Sequence, residues 1–293
     1  MAKEKKERRR LGDRKDGKLI KDLDPMHVIT PVLYPNRCDN EAYFLERFDM
    51  APIREYLSKL NQNETDFPYT PFHILVTAAL KLVTLRPKMN RFVANRLMYQ
   101  RNEVTASFVV KKLFHDDGAE ALALVKADPD DNIFTIHQKL YEQISTGRSD
   151  QIDRSSESMD IVSRMPRRMT RAFCHFICLL DKIGKVPNVL IGTDPYYQSI
   201  VLSNLGSLKL NTGYHHLTNW GTCSIFVIMG EIKNTPYSRE DGTIGYKETM
   251  DVGFTIDERM ADGYYYAKSL QILRKILANP ELMEAPMNTE VKL

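Results

Sequence analysis

The chain carries a cluster of charged residues directly after a stretch that has the alternation of a β-strand. Apolar residues alternate with polar residues or glycine from residue 250 to residue 257, and the segment DERMADG, residues 257–263, follows. This period of two predicts a half-buried strand with one face in the core. Extending it places Glu258 on the same inward face as Ile256, so we expect its carboxylate to point into the interior. Burial raises the pKa of a carboxyl group, which allows a glutamate to act as a general base near neutral pH.

Two other pairs of side chains could bind a metal ion or carry protons. Cys174 and Cys178 are one helical turn apart, but no second cysteine or histidine pair stands at zinc-ligand spacing. Two buried helix cysteines and no metal site are therefore expected. His215 and His216 are adjacent and could supply a base, although lining a loop or capping a strand is the simpler interpretation. The sequence contains no GxGxxG after a strand, no P-loop and no GxSxG nucleophile elbow.

The composition is typical of a globular domain. Of 293 residues, 43% are hydrophobic and 27% are charged, and these fractions are ordinary for soluble proteins. The formal net charge of +3 is too small to argue for a nucleic-acid partner, which needs a concentrated basic face. Neither a secretory signal nor an apolar run long enough to span a bilayer is found, so we expect a cytoplasmic protein with reduced cysteines.

Residues 1–25 are predicted to be a basic flexible arm and residues 26–293 a single domain. The arm holds six lysines and arginines against two glutamates between residues 3 and 10. Such arms are usually solvated, and docking to an acidic surface is the less favoured alternative.

Strands and helices alternate irregularly along the domain. Thr70, Pro71 and Pro87 mark the start and the end of the clearest helix. A last helix begins near Asp262 and stops before Pro280, and the segment MHVITPVLYP, residues 26–35, is expected to be extended. Further strands are predicted near residues 104–114, 199–206 and 222–232, and a further helix near 132–144. The absence of a regular βαβ pattern favours a layered α+β domain over a Rossmann fold.

The segment 257–283 resembles the C-terminal signature of dihydrolipoyl acyltransferases, in which a strand ends in D-H-R-x-x-D-G and runs into a helix that ends at N-P. SNLG, residues 203–206, corresponds to the serine-containing strand end of the same family. The resemblance covers most of the chain from about residue 30, most strongly in the last hundred residues. It implies the fold of chloramphenicol acetyltransferase, a two-layer sandwich of a mixed sheet and helices. The matching residues in the signature are Asp257, Arg259, Asp262, Gly263, Asn279 and Pro280.

The resemblance also implies a mechanism. Members of this superfamily transfer an acyl group between coenzyme A and an acceptor, with a histidine at the strand end as general base. The position of Ser203 implies a hydroxyl that donates a hydrogen bond to the tetrahedral oxyanion. The position of Asp262 implies a structural carboxylate held by an arginine from the N-terminal part, for which Arg37 is the candidate. The family further implies a homotrimer in which the base of one subunit faces the serine of its neighbour. Coenzyme A would be a substrate, and no permanently bound cofactor is expected.

The chain departs from the family at the catalytic histidine, because that position is Glu258. A carboxyl group titrates at about 4.3 and a thiol at about 8.5, so an unburied glutamate would be a poor base for a thiol. Three interpretations stay open: an acyltransferase that uses Glu258, an inactive relative that binds acyl-CoA or serves as a trimeric scaffold, and an enzyme in which His215 or His216 replaces the base.

Two further expectations concern layout and surface. The short N-terminal arm leaves no room for a lipoyl or subunit-binding domain, so the chain is expected to be an isolated catalytic-type domain with a small-molecule acceptor. Four arginines precede the apolar stretch FCHFICLL, residues 173–180, a composition found in helices that lie on membranes. We expect instead an ordinary helix packed on the domain with its basic side in water.

Overall fold

A computed structural model describes residues 12–63, 66–111, 120–148 and 164–293. Its centre is a six-stranded mixed sheet in the order β2-β9-β8-β7-β5-β6, and a small sheet has the order β1-β4-β3. Strand β7 runs parallel to both of its neighbours, whereas the other pairs are antiparallel. The strands are β1 Gly17–Leu19, β2 Glu41–Asp49, β3 Arg91–Ala94, β4 Leu97–Arg101, β5 Val104–Lys111, β6 Glu120–Ala127, β7 Ile200–Asn204, β8 Ile225–Ser238 and β9 Ile244–Asp257.

Several helices begin at residues whose side chains cap them. Thr70 and His73 form a reciprocal capping box at the start of α3, and the Asp262 carboxylate accepts a hydrogen bond from the backbone N–H of Tyr265 at the start of α7. The predicted bounds of both helices are confirmed. The helices are α1 Pro25–Leu33, α2 Ala51–Leu60, α3 Pro71–Leu85, α4 Ile133–Arg148, α5 Arg167–Lys182, α6 Asn188–Thr193 and α7 Gly263–Ala278.

The main core lies between one face of the large sheet and helices α3, α4 and α7. Helix α3 is buried on nearly every side, which explains why its apolar residues extend beyond a single stripe. The only cation in this helix, Lys81, is buried and donates hydrogen bonds to the carbonyl oxygens of Ala285 and Pro286 at 3.0 and 2.6 Å. The C-terminal segment is thereby held against α3. The sequence-based prediction of a layered α+β domain is confirmed.

The second face of the sheet is covered as well, although more thinly. Val201, Phe226 and Ile228 pack there with Leu217 and Cys223 in a small apolar cluster. The last nine residues of β9 are consequently buried on both faces. The prediction of a half-buried strand is wrong here, because the chain between β7 and β8 folds back over the strand and arginines cover its outward carboxylates.

The N-terminal part also differs from expectation. Asp24 caps a helix that begins at Pro25, so the segment MHVITPVLYP is mainly helical and not extended. Residues 12–24 are not a free arm, because β1 pairs with β4 and Arg14 is buried against Asp16 and Asp181. The predicted domain boundary at residue 25 therefore lies too far along the chain. Residues 1–11, which hold the basic run, lie outside the described residues.

Helix α5 contradicts two expectations. Cys178 is exposed and Cys174 only half-buried, so the two are not buried helix cysteines. Ile177 is buried against the domain, but most of the other large apolar residues of the helix, Met169, Phe173, Phe176 and Leu179, are exposed and not packed on it. None of the helices in the described ranges is both long and apolar enough to cross a membrane.

Candidate active site

Ser203 lies near the end of β7, on the outward face of the large sheet. Ile200 and Leu202 belong to the main core, whereas Val201 belongs to the small outer cluster, so strand alternation places Ser203 with Val201 on the outer side. Ser203 is half-buried and pairs with Ile228 of β8. Its hydroxyl is therefore positioned on a rigid element rather than on a loop.

The chain after β7 is fastened to this outer face. The Thr212 hydroxyl donates to the carbonyl oxygen of Ile228 at 2.7 Å and accepts from the backbone N–H of Gly253 at 3.0 Å. A side-chain oxygen thus bridges β8 and β9. The approach requires glycine, because a Cβ atom at residue 253 would lie 2.1 Å from the carbonyl oxygen of Gly213. The position of this segment relative to Ser203 is accordingly fixed by close backbone packing.

The two adjacent histidines lie in the same stretch of chain, residues 205–224, which connects β7 to β8 and is called the covering segment below. The His215 ring stacks on Phe226 with centroids 4.2 Å apart, and His216 stacks on His215 at 4.6 Å. Phe226 precedes Ile228, the partner of Ser203, by two residues on the same face. His215 therefore covers the same face of the sheet as Ser203, over Phe226, which pairs with Val201, while His216 is more exposed.

Glu258 is exposed, so the expectation that its side chain points into the interior is wrong. Strand β9 ends at Asp257, whose carboxylate accepts a hydrogen bond from the backbone N–H of Arg259 and starts a single 3-10 turn. The backbone N–H of Glu258 donates to the carbonyl oxygen of Asn40 at 2.9 Å. Because residue 258 lies beyond the strand, the alternation that governs residues 250–257 no longer determines its direction.

The buried partner of Arg37 is Asp257 and not Asp262, so that predicted pairing is wrong. Asp257 is fully buried and accepts two hydrogen bonds from the Arg259 guanidinium, at 2.8 and 2.6 Å. Nε of Arg37 lies 3.7 Å from the same carboxylate. Asp262 is exposed and caps α7, which begins at Gly263. Its capping bond to Tyr265 lowers the pKa of the Asp262 carboxyl.

Arg37 connects several segments around this carboxylate. Its guanidinium donates to the carbonyl oxygens of Thr218 and Gly221 at 2.6 and 3.0 Å and to that of Val93 at 3.0 Å. Burial lowers the pKa of Arg37, and the charge of Asp257 opposes the shift. The arginine that the sequence singled out is therefore structural, but it braces the covering segment and a hairpin rather than the start of α7.

A cavity of about 430 Å³ lies beside Arg259. Among the residues that the structure describes, four cations line it, whereas the one carboxylate there, Asp181, already binds Arg14 and the Tyr197 hydroxyl. Neither Arg96 nor Lys182 forms an ion pair with any residue that the structure describes. The cavity is therefore suited to an anionic ligand. The four cations are Arg37, Arg96, Lys182 and Arg259.

The cavity was not predicted from the sequence, because its walls come from segments far apart in the chain. One local signal was available at Asn95 and Arg96, which join β3 to β4. Both have positive φ values, 48° and 62°, as a two-residue hairpin turn of the primed type requires. Arginine is uncommon in this conformation, and here it places a cation at the cavity.

Ser203 and Glu258 are far apart within one chain. Ser203 pairs with Ile228, which pairs with Gly253, five residues before Glu258 on the second strand away. With strands about 4.8 Å apart and a rise of about 3.3 Å per residue, the separation is roughly 20 Å. The structure thus places His215 over the same sheet face as Ser203, whereas Glu258 lies at a different level of the sheet. Within the described ranges, no group of three or more His, Cys, Asp or Glu side chains could hold a metal ion.

The fold is that of chloramphenicol-acetyltransferase-like acyltransferases, and three solved structures show the likeness. A probable dihydrolipoamide acetyltransferase from Listeria monocytogenes has a TM-score of 0.55 at 13% identity, over 89% of this chain and 94% of that one. The truncated catalytic core of a 2-oxoacid dehydrogenase multienzyme complex from Thermoplasma acidophilum has a TM-score of 0.55 at 11% identity, over 90% and 99%. A chloramphenicol acetyltransferase has a TM-score of 0.52 at 13% identity, over 89% and 99%.

Residues 195–285 match the family model of the 2-oxoacid dehydrogenases acyltransferase catalytic domain. This range contains Ser203, Glu258 and Asp262, and it coincides with the part of the sequence in which the resemblance was strongest. The expected resemblance to the CoA-dependent acyltransferase superfamily is confirmed. No curated protein sequence matches the chain.

Proposed function

We propose that this protein transfers an acyl group from acyl-CoA to a small hydroxyl or thiol acceptor, with Glu258 as the general base. Glu258 would take the proton of the acceptor as its oxygen or sulfur attacks the thioester carbonyl. Ser203 would donate a hydrogen bond to the resulting oxyanion. When the intermediate collapses, the thiolate of coenzyme A leaves and receives the proton from Glu258, so that the base is restored.

The observation that carries this proposal is that Ser203 and Glu258 lie two strands apart and at different levels of the sheet, which at ordinary strand spacing separates them by roughly 20 Å. Two groups that act on one carbonyl must lie within a few ångströms of it, so a site that uses both residues needs a second chain. We infer a homotrimer in which Glu258 of one chain faces Ser203 of the next. The burial that sequence reasoning required of Glu258 would then come from the neighbouring chain, since the exposed side chain lacks it in a single one.

The cationic cavity supports coenzyme A as the donor. Coenzyme A carries several phosphate charges, and arginine binds phosphate through paired hydrogen bonds. Arg96 and Lys182 form no ion pair among the described residues, so a ligand could engage both without breaking an existing contact. Coenzyme A would bind as a substrate and leave after each turnover.

Isothermal titration with coenzyme A and acetyl-CoA tests donor binding without knowledge of the acceptor. We expect saturable binding to the wild type and weaker binding to Arg96→Gln, with Arg239→Gln, an exposed arginine of the β8–β9 turn, as the matched control. Absence of binding to the wild type would remove acyl-CoA from the proposal.

Release of the coenzyme A thiol in the presence of alcohol and thiol acceptors tests the chemistry. Glu258→Gln should abolish turnover, whereas Glu281→Gln, which alters another exposed glutamate, should not. Equal rates in the wild type and Glu258→Gln would exclude Glu258 as the base.

The exposure of Glu258 favours a second candidate from another class. An inactive family member could bind acyl-CoA or act as a trimeric scaffold for a partner. In that case the wild type would bind coenzyme A without turnover. Activity gained by Glu258→His would then identify an intact site that lacks only its base.

The stacking of His215 on Phe226 favours a substitute base within the same chain, because Phe226 and Ser203 lie on one face of adjacent strands. The double variant His215→Gln/His216→Gln distinguishes this alternative. It would lose turnover while Glu258→Gln kept it.

A further inference from the structure

Helix α5 presents three separate faces along its length. Its inner face is formed by half-buried and buried residues at spacings of four, three and four: Thr170, Cys174, Ile177 and Asp181. At 3.6 residues per turn, these positions share one side of the helix. Outside this side, Leu180 is half-buried and Cys178 and Lys182 border the cavity, while the other residues of the helix are exposed.

The first outward face is apolar. Met169, Phe173 and Phe176 follow one another at spacings of four and three, and Leu179 and Ile183 continue the same side. These five side chains expose between 40% and 57% of their surface. Five large apolar side chains on one side of a helix form a contiguous patch, which monomeric proteins rarely leave uncovered.

The second outward face is cationic. Arg168, Arg171 and Lys182 are exposed at spacings of three and eleven, which places them on one side next to Leu179. Arg164, Arg167 and Lys185 add three exposed cations at the ends of the helix. From residue 164 to residue 189 the only carboxylate is that of Asp181, and it faces inward to Arg14. None of the six cations forms an ion pair with a residue in the described ranges.

We propose that α5 docks on the surface of an anionic lipid bilayer, with its apolar face among the acyl chains near the headgroups and its arginines at the phosphates. Helices of this type lie in the membrane plane without crossing the bilayer, held by buried apolar area together with attraction to anionic lipid. The charge selects this partner. A second copy of this chain would have to offer a carboxylate-rich apolar surface, whereas a phosphate surface attracts the exposed cations of α5 without a specific fit.

Helix α1 provides an internal contrast. It also exposes large apolar side chains, among them Val28, Val32 and Leu33. It contains no lysine or arginine. An apolar face without cations has no preference for anionic lipid, so α1 separates the effect of apolar exposure from that of the combination found in α5.

Co-sedimentation of the full chain with vesicles tests the proposal without any assay of activity. We expect the protein to pellet with vesicles of phosphatidylcholine mixed with phosphatidylglycerol, and not with phosphatidylcholine alone. High salt should weaken the binding because it screens the charges. Neutralising two cations in Arg168→Gln/Arg171→Gln should lower the partition coefficient about thirtyfold, since each basic residue near such a surface contributes about 1 kcal/mol.

The apolar face needs its own variant and controls. Phe173→Ser/Phe176→Ser should lower partitioning at least about tenfold, because the aromatic side chains contribute buried apolar area. Val28→Ser/Val32→Ser on α1 and Arg239→Gln/Lys292→Gln on other elements should leave it unchanged. If anionic vesicles do not pellet the wild type, or if the controls lower binding as much as the α5 variants, the proposal is wrong.

Sedimentation velocity of the same proteins separates lipid from a second copy. The lipid proposal expects Phe173→Ser/Phe176→Ser to keep the oligomeric state of the wild type. A shift to a smaller species, without an effect on vesicle binding, would assign the apolar face to a contact between chains and overturn the lipid assignment.

Discussion

Replacing Asp257 with asparagine removes the carboxylate that forms ion pairs with two buried arginines, Arg37 and Arg259. Arg37 and Arg259 each expose less than a twentieth of their surface, at 4% and 3%, so water solvates their charges poorly. Breaking a buried ion pair from one side costs about 3–5 kcal/mol, because an uncompensated charge is left behind. In a protein of this size each kcal/mol lowers Tm by about 2–4 °C, so we expect a loss of about 6–20 °C.

Asp251→Asn is the matched control. Asp251 lies on the same strand, six residues earlier, and pairs with Arg47, whose side chain is 52% exposed. Such a pair contributes about 0–1 kcal/mol, so Tm should fall by no more than about 4 °C.

The third member of the series is Asp262→Ala, which tests the pairing that the sequence suggested. Removing an exposed helix cap costs about 1 kcal/mol. Thermal unfolding followed by circular dichroism gives all three values. We expect Asp257→Asn to lower Tm far more than Asp262→Ala does, and Asp251→Asn to lower it by about as much as Asp262→Ala. A larger loss in Asp262→Ala than in Asp257→Asn would refute the assignment of Asp257 as the partner of Arg37.

Three further predictions concern protonation, backbone packing and the shared site. Burial lowers the pKa of His73 to about 3, and nearby His137 adds to the shift. The unfolded chain, with a histidine pKa of about 6.5, then binds the proton first, so stability is complete above that pH and is lost towards pH 3 by up to about 1.4 kcal/mol per pH unit. His73→Gln should reduce this slope in urea titrations at several pH values, whereas His175→Gln on exposed α5 should not. Gly253→Ala should destabilise by about 1–3 kcal/mol or more through contact with Gly213, whereas Gly192→Ala, with open space around its Cβ, should stay within about 0.5 kcal/mol in the same assay. If wild-type activity is found, the inactive Ser203→Ala and Glu258→Gln chains should regain about a quarter of it when they are refolded together. In a cyclic trimer of such a mixture, one interface in four has both intact residues. A mixture as inactive as its parts would contradict a site shared between chains.

Local signals in the sequence were sufficient wherever a boundary depends on neighbouring residues. Thr70 and Pro71 define the start of α3, and Asp262 defines that of α7, because a cap acts over three or four residues. The segment after Asp24 shows that the intrinsic β-propensity of residues does not always predict their secondary structure. Its β-branched residues favour a strand, but an aspartate cap and a proline at the first helical position start a helix instead.

The candidate site could be predicted only in part for a similar reason. Alternation along β9 predicted direction correctly as far as Asp257, where a side-chain hydrogen bond ends the strand and frees Glu258 from the pattern. Spacing alone could not decide between Asp257 and Asp262 as the partner of Arg37, since both are charged and five residues apart. The cavity depends on packing among six segments spread from Pro35 to Arg259, and no local motif in the sequence predicts such packing.

Strands β8 and β9 continue well past the body of the sheet. Beyond Thr249, where the pairing with β2 ends, the segments Thr235–Ser238 and Ile244–Lys247 pair with each other and with no further strand among the described residues. A two-stranded ribbon of this kind is marginally stable alone, so its amide hydrogens should exchange with deuterium through local opening. The amides of Val227 and Met229, in the middle of six strands, should exchange only when the whole domain unfolds. Protection of the amide hydrogens from exchange should therefore increase from this ribbon towards the centre of the sheet. Ser203 lies beside the part where this protection is greatest.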